Sequence, residues 1–182
     1  LHDALPILNV DEKRFSPRSI LSEIGRAKDE LRTPADFAAT VGEDYRLQVV
    51  SKVYERYQRQ LENANAVDFD DIIMLTVRVF QQYPDALETY RRRYRYVMVD
   101  EYQDTNHAQF ELVRLLASES GNLCVVGDDD QSIYKFRGAT IENILQFEDT
   151  FPGARVFRLE QNYRSTGTIL DAANAVIEHN TA

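Results

Sequence analysis

The sequence is poor in the residues that would place it outside the cell or inside a membrane. It holds one cysteine, Cys124, and no tryptophan, so no internal disulfide can staple it. Cys124 lies in the apolar run LCVVG and is expected to pack as a small buried hydrophobe. A reducing compartment, the cytoplasm, fits this best. No apolar stretch approaches the roughly 18 residues that cross a bilayer as a helix. Basic residues are also scarce: the formal net charge is −9. That excludes a protein gripping nucleic acid with its whole surface, because neutralising phosphates takes clustered Lys and Arg. Any such contact must be local. There is no internal repeat and no low-complexity linker. None of the seven glycines opens a Gly-x-x-x-x-Gly-Lys-Ser/Thr phosphate loop.

What is present suits a folded domain. Hydrophobic residues make up 43% and charged residues 28% of 182, enough for one ordinary domain, or one with parts of its neighbours. Residues 1–66 hold 10 basic and 11 acidic residues, and residues 67–182 hold 11 and 19. The excess acid is therefore in the second part, where it forms a solvated face or helps to hold divalent metal.

The first third reads as helices. Ser16 and Pro17 start one, with Ile20, Leu21, Ile24, Ala27 and Leu31 on one face. Thr33 and Pro34 repeat the cap signal, and residues 45–61 give a longer helix through Val50, Tyr54, Tyr57 and Leu61. VDFDD then caps another, with Ile72, Ile73, Val77 and Phe80 inward. Pro84 opens one that ends in Arg91, Arg92 and Arg93. Beyond it short β-branched runs alternate with helical ones, the pattern of a parallel sheet with crossover helices. The expected strands are 96–100, 123–127 and 155–159. Helices are expected over 106–119, with Phe110, Val113 and Leu116 inward, and 140–148, with Ile141, Ile144 and Leu145 inward. A last helix runs from Ser165 through Ile177. The opening LHDALPI has neither cap nor period tying it to the first helix. With the abrupt HNTA ending, it suggests a truncated reading frame whose first seven residues are a candidate non-native scar.

Chemistry concentrates where the proposed strands end. VMVDEYQDTN is a hydrophobic strand that stops at Asp100 and Glu101, and ligands bind at the carboxyl ends of parallel strands. One carboxylate there can hold Mg²⁺, and the other can orient and deprotonate a water. Taken alone, a strand followed by DE is as often just the start of a loop. VVGDDDQSIYKFRGA repeats the design, with Gly127 for a tight exit, Asp128 to Asp130, and Gln131 as an uncharged group able to sense a terminal phosphate or its water. The DDD run lacks the spacing of a calcium loop. Tyr134, Lys135, Phe136 and Arg137 interleave rings and cations, as single-strand binding requires, although a core Phe among surface charges reads the same way. In LEQNYRST, Arg164 stands before a helix start, where it could reach a transferring phosphoryl group, and Tyr163 could stack, although an arginine so placed is often just solvated.

In this order and spacing the segments resemble the UvrD/PcrA/Rep-type superfamily 1 DNA helicases. VMVDEYQDTN resembles motif II, GDDDQSIYKFRGA motif III and RLEQNYRST motif IV. VDFDDI, with Phe69 lying 31 residues before Asp100, resembles the family's strand-contacting element. The resemblance covers about residues 66–175. It implies an α/β fold: an incomplete RecA-like P-loop NTPase motor domain with a parallel sheet, plus a helical inserted subdomain. Residues 1–65 would be part of that subdomain, 66–157 the C-terminal part of the first motor domain, and 158–182 the start of the second.

It implies ATP and Mg²⁺ as cofactors, single-stranded and duplex DNA as partners, and 3′ to 5′ unwinding. Asp100, with Glu101 beside it, would face Mg²⁺, and Glu101 would activate the hydrolytic water. Gln131 and Arg164 would meet the γ-phosphate, Tyr163 would stack on the adenine, and Phe69, Tyr134, Phe136 and Arg137 would contact single-stranded DNA. Phe136 departs from the Trp of many relatives; it still stacks, with less ring area. The missing phosphate loop should precede residue 1, so the chain alone should not turn over ATP. Three alternatives stay open: a recombination helicase-nuclease subunit with a nuclease domain downstream, a binding module that kept the motifs as structure only, and a magnesium-dependent phosphatase or nuclease that cleaves without nucleotide.

Overall fold

Side-chain caps set where four of the first five described helices begin. The computed structural model describes residues 15–132 and 138–179. In it α1 (Pro17–Asp29) opens on Ser16, whose Oγ accepts from the Ser19 N–H at 3.2 Å, with Pro17 in the first turn. α2 (Pro34–Thr40) opens on a reciprocal capping box between Thr33 and Asp36, and α3 (Tyr45–Asn63) on Asp44. α4 (Phe69–Gln82) opens on a second capping box, between Asp68 and Asp71. α5 (Pro84–Arg93) has proline in its first turn and three arginines in its last, where they meet the negative end of the helix dipole. Each side-chain cap contributes about 1 kcal/mol.

Helical spacing then decides what these elements bury. Ile20, Ile24 and Ala27 of α1 share one face and meet Phe37 of α2, Val50, Val53 and Tyr54 of α3, and Phe15 in one core. The Tyr54 ring meets Phe37 edge-on at 6.2 Å, and its hydroxyl donates to the Arg32 carbonyl at 2.9 Å. α4 turns Met74, Val77 and Phe80 inward and packs against α1, α5 and the crossover helix α6 (His107–Ala117). α4, α1 and α5 all meet α6, which in turn packs on the first of the strands.

Those strands are β1 (Val97–Val99) and β2 (Leu123–Val125), parallel, with Val97 opposite Leu123, Met98 opposite Cys124 and Val99 opposite Val125. α6 connects them and packs on β1, as a parallel pair requires. No helix of the described residues is long and apolar enough to cross a membrane.

Several expectations fail, each for a physical reason. The strands are not buried on both faces: pleating turns Val97, Val99, Leu123 and Val125 to a partly covered face, while Met98 is 77% exposed on the other. Cys124 shares that open face and is exposed rather than packed. Residues 155–159 form no strand, because a strand needs an edge to bond and a face to cover. RVFRL finds neither among the described residues, and Leu159 stands 90% exposed. The helix expected over 140–148 breaks at Gln146 into α7 (Glu142–Leu145) and α8 (Phe147–Thr150), leaving Leu145 exposed. α9 (Gly167–Ile177) starts two residues later than expected, behind Thr166, and its apolar side chains lie open. Leu21 and Ile72 sit at the borders of their helices' apolar stripes and are exposed as well.

Candidate active site

At the end of β1 the chain reverses sharply. Asp100 follows the strand, and Glu101 takes a left-handed conformation with φ 51°, unusual for a residue with a side chain. The Asp100 carboxylate braces this turn by accepting the Glu101 N–H at 2.9 Å through Oδ1. A single 3₁₀ turn, Tyr102–Asp104, comes next. The ladder carries past the strands at this point: Val126 N–H donates to the Val99 carbonyl at 2.8 Å, and Tyr102 N–H donates to the Val126 carbonyl at 2.9 Å. The two strand ends are thereby fixed side by side.

Beneath them lies Gln103, 1% exposed. Its Nε2 donates to Glu101 Oε2 at 2.8 Å, and its Oε1 accepts the Asp128 N–H at 3.1 Å. Gly127 leaves the room for it: a Cβ there would stand 2.6 Å from Gln103 Oε1 and 2.8 Å from Ile144 Cδ1. Tyr102 is wholly buried, packs edge-on against Phe147 at 5.7 Å, and has its phenol pushed up to about 12 by burial.

After Gly127 the second loop folds on Asp128. Its Oδ1 accepts the Asp130 N–H at 3.1 Å and its Oδ2 the Gln131 Nε2 at 2.6 Å, which caps a 3₁₀ turn over Asp129–Gln131. Asp100, Glu101 and Gln131 are all exposed at this rim. Asp128, Asp129 and Asp130 bring ligand atoms within 4.8 Å of one another, the one such group among the described residues. Asp128 is already engaged as a cap, and an exposed acidic run of this kind is common without an ion. Asp100 and Glu101 lie outside it.

Other expected site residues are placed differently. Arg164 and Tyr163 sit on an exposed turn whose N–H groups at Arg164 and Ser165 both bond Asn162 Oδ1 at 2.9 Å. Tyr163 is 93% exposed. No hydrogen bond or ion pair among the described residues joins Arg164 to Asp100, Glu101 or Gln131. Tyr134, Phe136 and Arg137 lie outside the described residues. The segment after them is anchored: Thr140 N–H donates to the Thr105 carbonyl at 3.0 Å, and Asn143 Nδ2 bonds the same carbonyl at 3.0 Å.

Phe69 is 89% exposed at the first turn of α4. Its neighbours explain why it stands out. Asp68 and Asp71 turn inward to Lys28, which is completely buried, at 2.6 and 2.9 Å. The ammonium also lies 5.3 Å from the Tyr57 ring centre and 5.9 Å from that of Tyr54, and the Tyr57 hydroxyl donates to Asp68 at 3.0 Å. Burial pushes the Asp68 carboxyl up, but its bonds from Lys28, the Asp71 N–H and Tyr57 hold it below the usual carboxylate range. Two aspartates drawn in on either side leave Phe69 projecting.

Sequence reasoning missed Gln103 and Lys28. Gln103 stood in the open, two residues past Glu101, as the one amide in an acidic run. Lys28 was the one cation continuing the Ile20–Ile24–Ala27 face of α1. A concavity of about 580 Å³ opens between α2, α3 and α4, lined by Thr33, Tyr54, Gln58, Asp71 and Arg78 among others. It contains none of the strand-end residues, whose convergence across two loops carries more chemical meaning than its volume.

Two parallel strands thus end in an acidic loop and an amide-bearing loop joined through Gln103, and Phe69 projects from the capped start of α4. The family model for the UvrD/REP helicase N-terminal domain matches residues 2–152, and the chain belongs to that family. A protein named ATP-dependent DNA helicase PcrA from Staphylococcus epidermidis is 53% identical over 181 residues, covering 100% of this chain and 25% of that protein. A Staphylococcus aureus protein of the same name is 54% identical over 181 residues with the same coverage. The chain thus spans about a quarter of the length of these curated relatives.

Proposed function

We propose that these residues carry the metal and γ-phosphate side of the motor of an ATP-dependent 3′ to 5′ DNA helicase. Residues 1–65 belong to its helical subdomain, 66–157 to the first RecA-like motor domain, and 158–182 open the second. One observation carries the reading: two parallel strands deliver Asp100 and Glu101 on one loop, and Gln131 on the next, to a single rim cross-linked by Gln103.

Asp100 suits a hard cation. Its Oδ1 takes one backbone N–H, and its Oδ2 takes no bond among the described residues. One carboxylate together with substrate phosphates is a common way to hold Mg²⁺, and Glu101 stands beside it. Bound there, Mg²⁺ would neutralise charge on the β- and γ-phosphates.

Glu101 acts as the base. A carboxylate oxygen takes a proton from water as the water oxygen bonds to the γ-phosphorus, and the bond from phosphorus to the bridging oxygen breaks, its electron pair leaving with ADP. Gln131 and Arg164 meet the γ-phosphate, and Tyr163 stacks on the adenine. Since Arg164 and Gln131 are unconnected here, Arg164 would reach the phosphate only when the two motor domains close on nucleotide. Phe69, Tyr134, Phe136 and Arg137 contact single-stranded DNA. Gln131 lies five residues from Phe136 in the chain, so one loop links the phosphate to the strand.

The test uses a helicase of full relative length carrying these residues, on a duplex with a 3′ tail. ATP-dependent unwinding is expected, and Gln131→Ala should retain single-strand binding while losing unwinding per ATP consumed. Unchanged unwinding by Gln131→Ala overturns the coupling, and no ATP-dependent unwinding by the parent overturns the function.

A further inference from the structure

Gln103 is buried where a polar side chain needs a reason. Its carboxamide donates to Glu101 at one end and accepts from the Asp128 backbone at the other, at 2.8 and 3.1 Å. Both partners fix its orientation, because a carboxylate can only accept and a backbone N–H can only donate. No other side chain of similar length offers both groups. A carboxylate would repel Glu101, and a thioether would satisfy neither partner. Gly127 is shaped to admit it, since any Cβ there would run into Oε1.

We propose that Gln103 is a positioning residue of the hydrolytic site: it holds the Glu101 carboxylate in register with the Gly127–Gln131 loop, so the base and the phosphate-sensing loop move as one body. This rests on the reading of Glu101 as the base. The link is short and runs through one amide. Displacement of the second loop, as when Gln131 meets a phosphate, shifts the Asp128 N–H, and Gln103 passes that shift to Glu101 two residues along its own turn. Nucleotide contact at one loop thereby sets the orientation of the base on the other.

The experiment takes a helicase of full relative length carrying these residues and measures single-strand-stimulated ATP hydrolysis, the KM for ATP, single-strand Kd and thermal melting. Gln103→Met should lower kcat by about 10- to 100-fold, the loss typical when a side chain that orients a metal ligand through a hydrogen bond is removed, with KM and Kd within about twofold of the parent. Gln103→Glu should fall at least as far, since it adds a charge against Glu101. Gly127→Ala should reproduce the loss by evicting Gln103, and the Gly127→Ala/Gln103→Met double variant should be no slower than the worse single one. If Gln103→Met does not fold, Gly127→Ala carries the same test from the other partner. Unchanged kcat in these variants overturns the proposal, as does a loss that follows melting temperature or divides evenly between kcat and KM. Glu101→Gln runs alongside: a normal rate there overturns the reading of Glu101 itself, and a lost rate leaves the Gln103 result to decide the proposal.

Discussion

Replacing Lys28 with methionine should destabilise this chain although it removes almost no volume from the core. Methionine fills nearly the same space, so the core keeps its packing, but Asp68 and Asp71 lose the ammonium that both contact, at 2.6 and 2.9 Å. Asp71 is 1% exposed and cannot turn to water. Removing one member of a buried ion group typically costs about 3–5 kcal/mol, because the remaining charge is stranded. Whole domains are stable by about 5–15 kcal/mol. With a urea slope of about 2 kcal/mol per molar, the midpoint should fall by about 2 M. The stranded charge is the cause, so Lys28→Met combined with Asp68→Asn and Asp71→Asn should recover most of the loss. Urea denaturation followed by circular dichroism decides it. A Lys28→Met midpoint within about 0.5 M of the parent, or a triple variant less stable than the single one, refutes the reasoning.

Other outcomes are expected from the same structure. Burial, with Asp70 and Glu30 adding to it, holds the Asp29 carboxyl at about 7 instead of 3.8. The folded chain then keeps a proton between pH about 4 and 7 that the unfolded chain has released, and this group's contribution falls as pH rises through that window. Allowing for the solvent that reaches it, the cost above pH 7 is about 1–2 kcal/mol. Asp29→Asn still accepts from Asn106 through Oδ1 and should melt higher than the parent at pH 8 but not at pH 4; an equal difference at both contradicts this. Phe69→Ala should leave stability unchanged, because the ring is exposed, yet weaken single-strand binding of the full-length helicase about 10- to 100-fold, the loss of one stacked base; unchanged affinity removes Phe69 from the DNA site. Ile24→Ala, at the centre of the first core, should cost about 2–5 kcal/mol in the same urea assay.

The parts of this fold legible in the sequence are those that local chemistry decides. Ser16 and Thr33, each followed by proline, and the VDFDD segment mark helix starts because the Ser16, Thr33 and Asp68 side chains each bond an N–H three residues on, an interaction wholly within the local segment. The Ile20–Ile24–Ala27 face could be read for the same reason, and so could the two strands, although they stop at Val99 and Val125, short of the expected ends. What was missed depends on distant partners. RVFRL has the composition of a strand but no neighbour to bond, and Cys124 has an apolar context but sits on the uncovered side of a pleat. Gln103 and Lys28 were visible as residues. Their roles appear only when residues 25 and 40 positions away, Asp128 and Asp68, fold against them.

The most direct test of the central claim is single-strand-stimulated ATP hydrolysis by a full-length helicase carrying these residues with Glu101→Gln. The amide keeps the shape and cannot take a proton from water. If Glu101 is the base, kcat falls by about 100-fold or more, with ATP and single-strand binding retained within about twofold; hydrolysis at the parent's rate would contradict it.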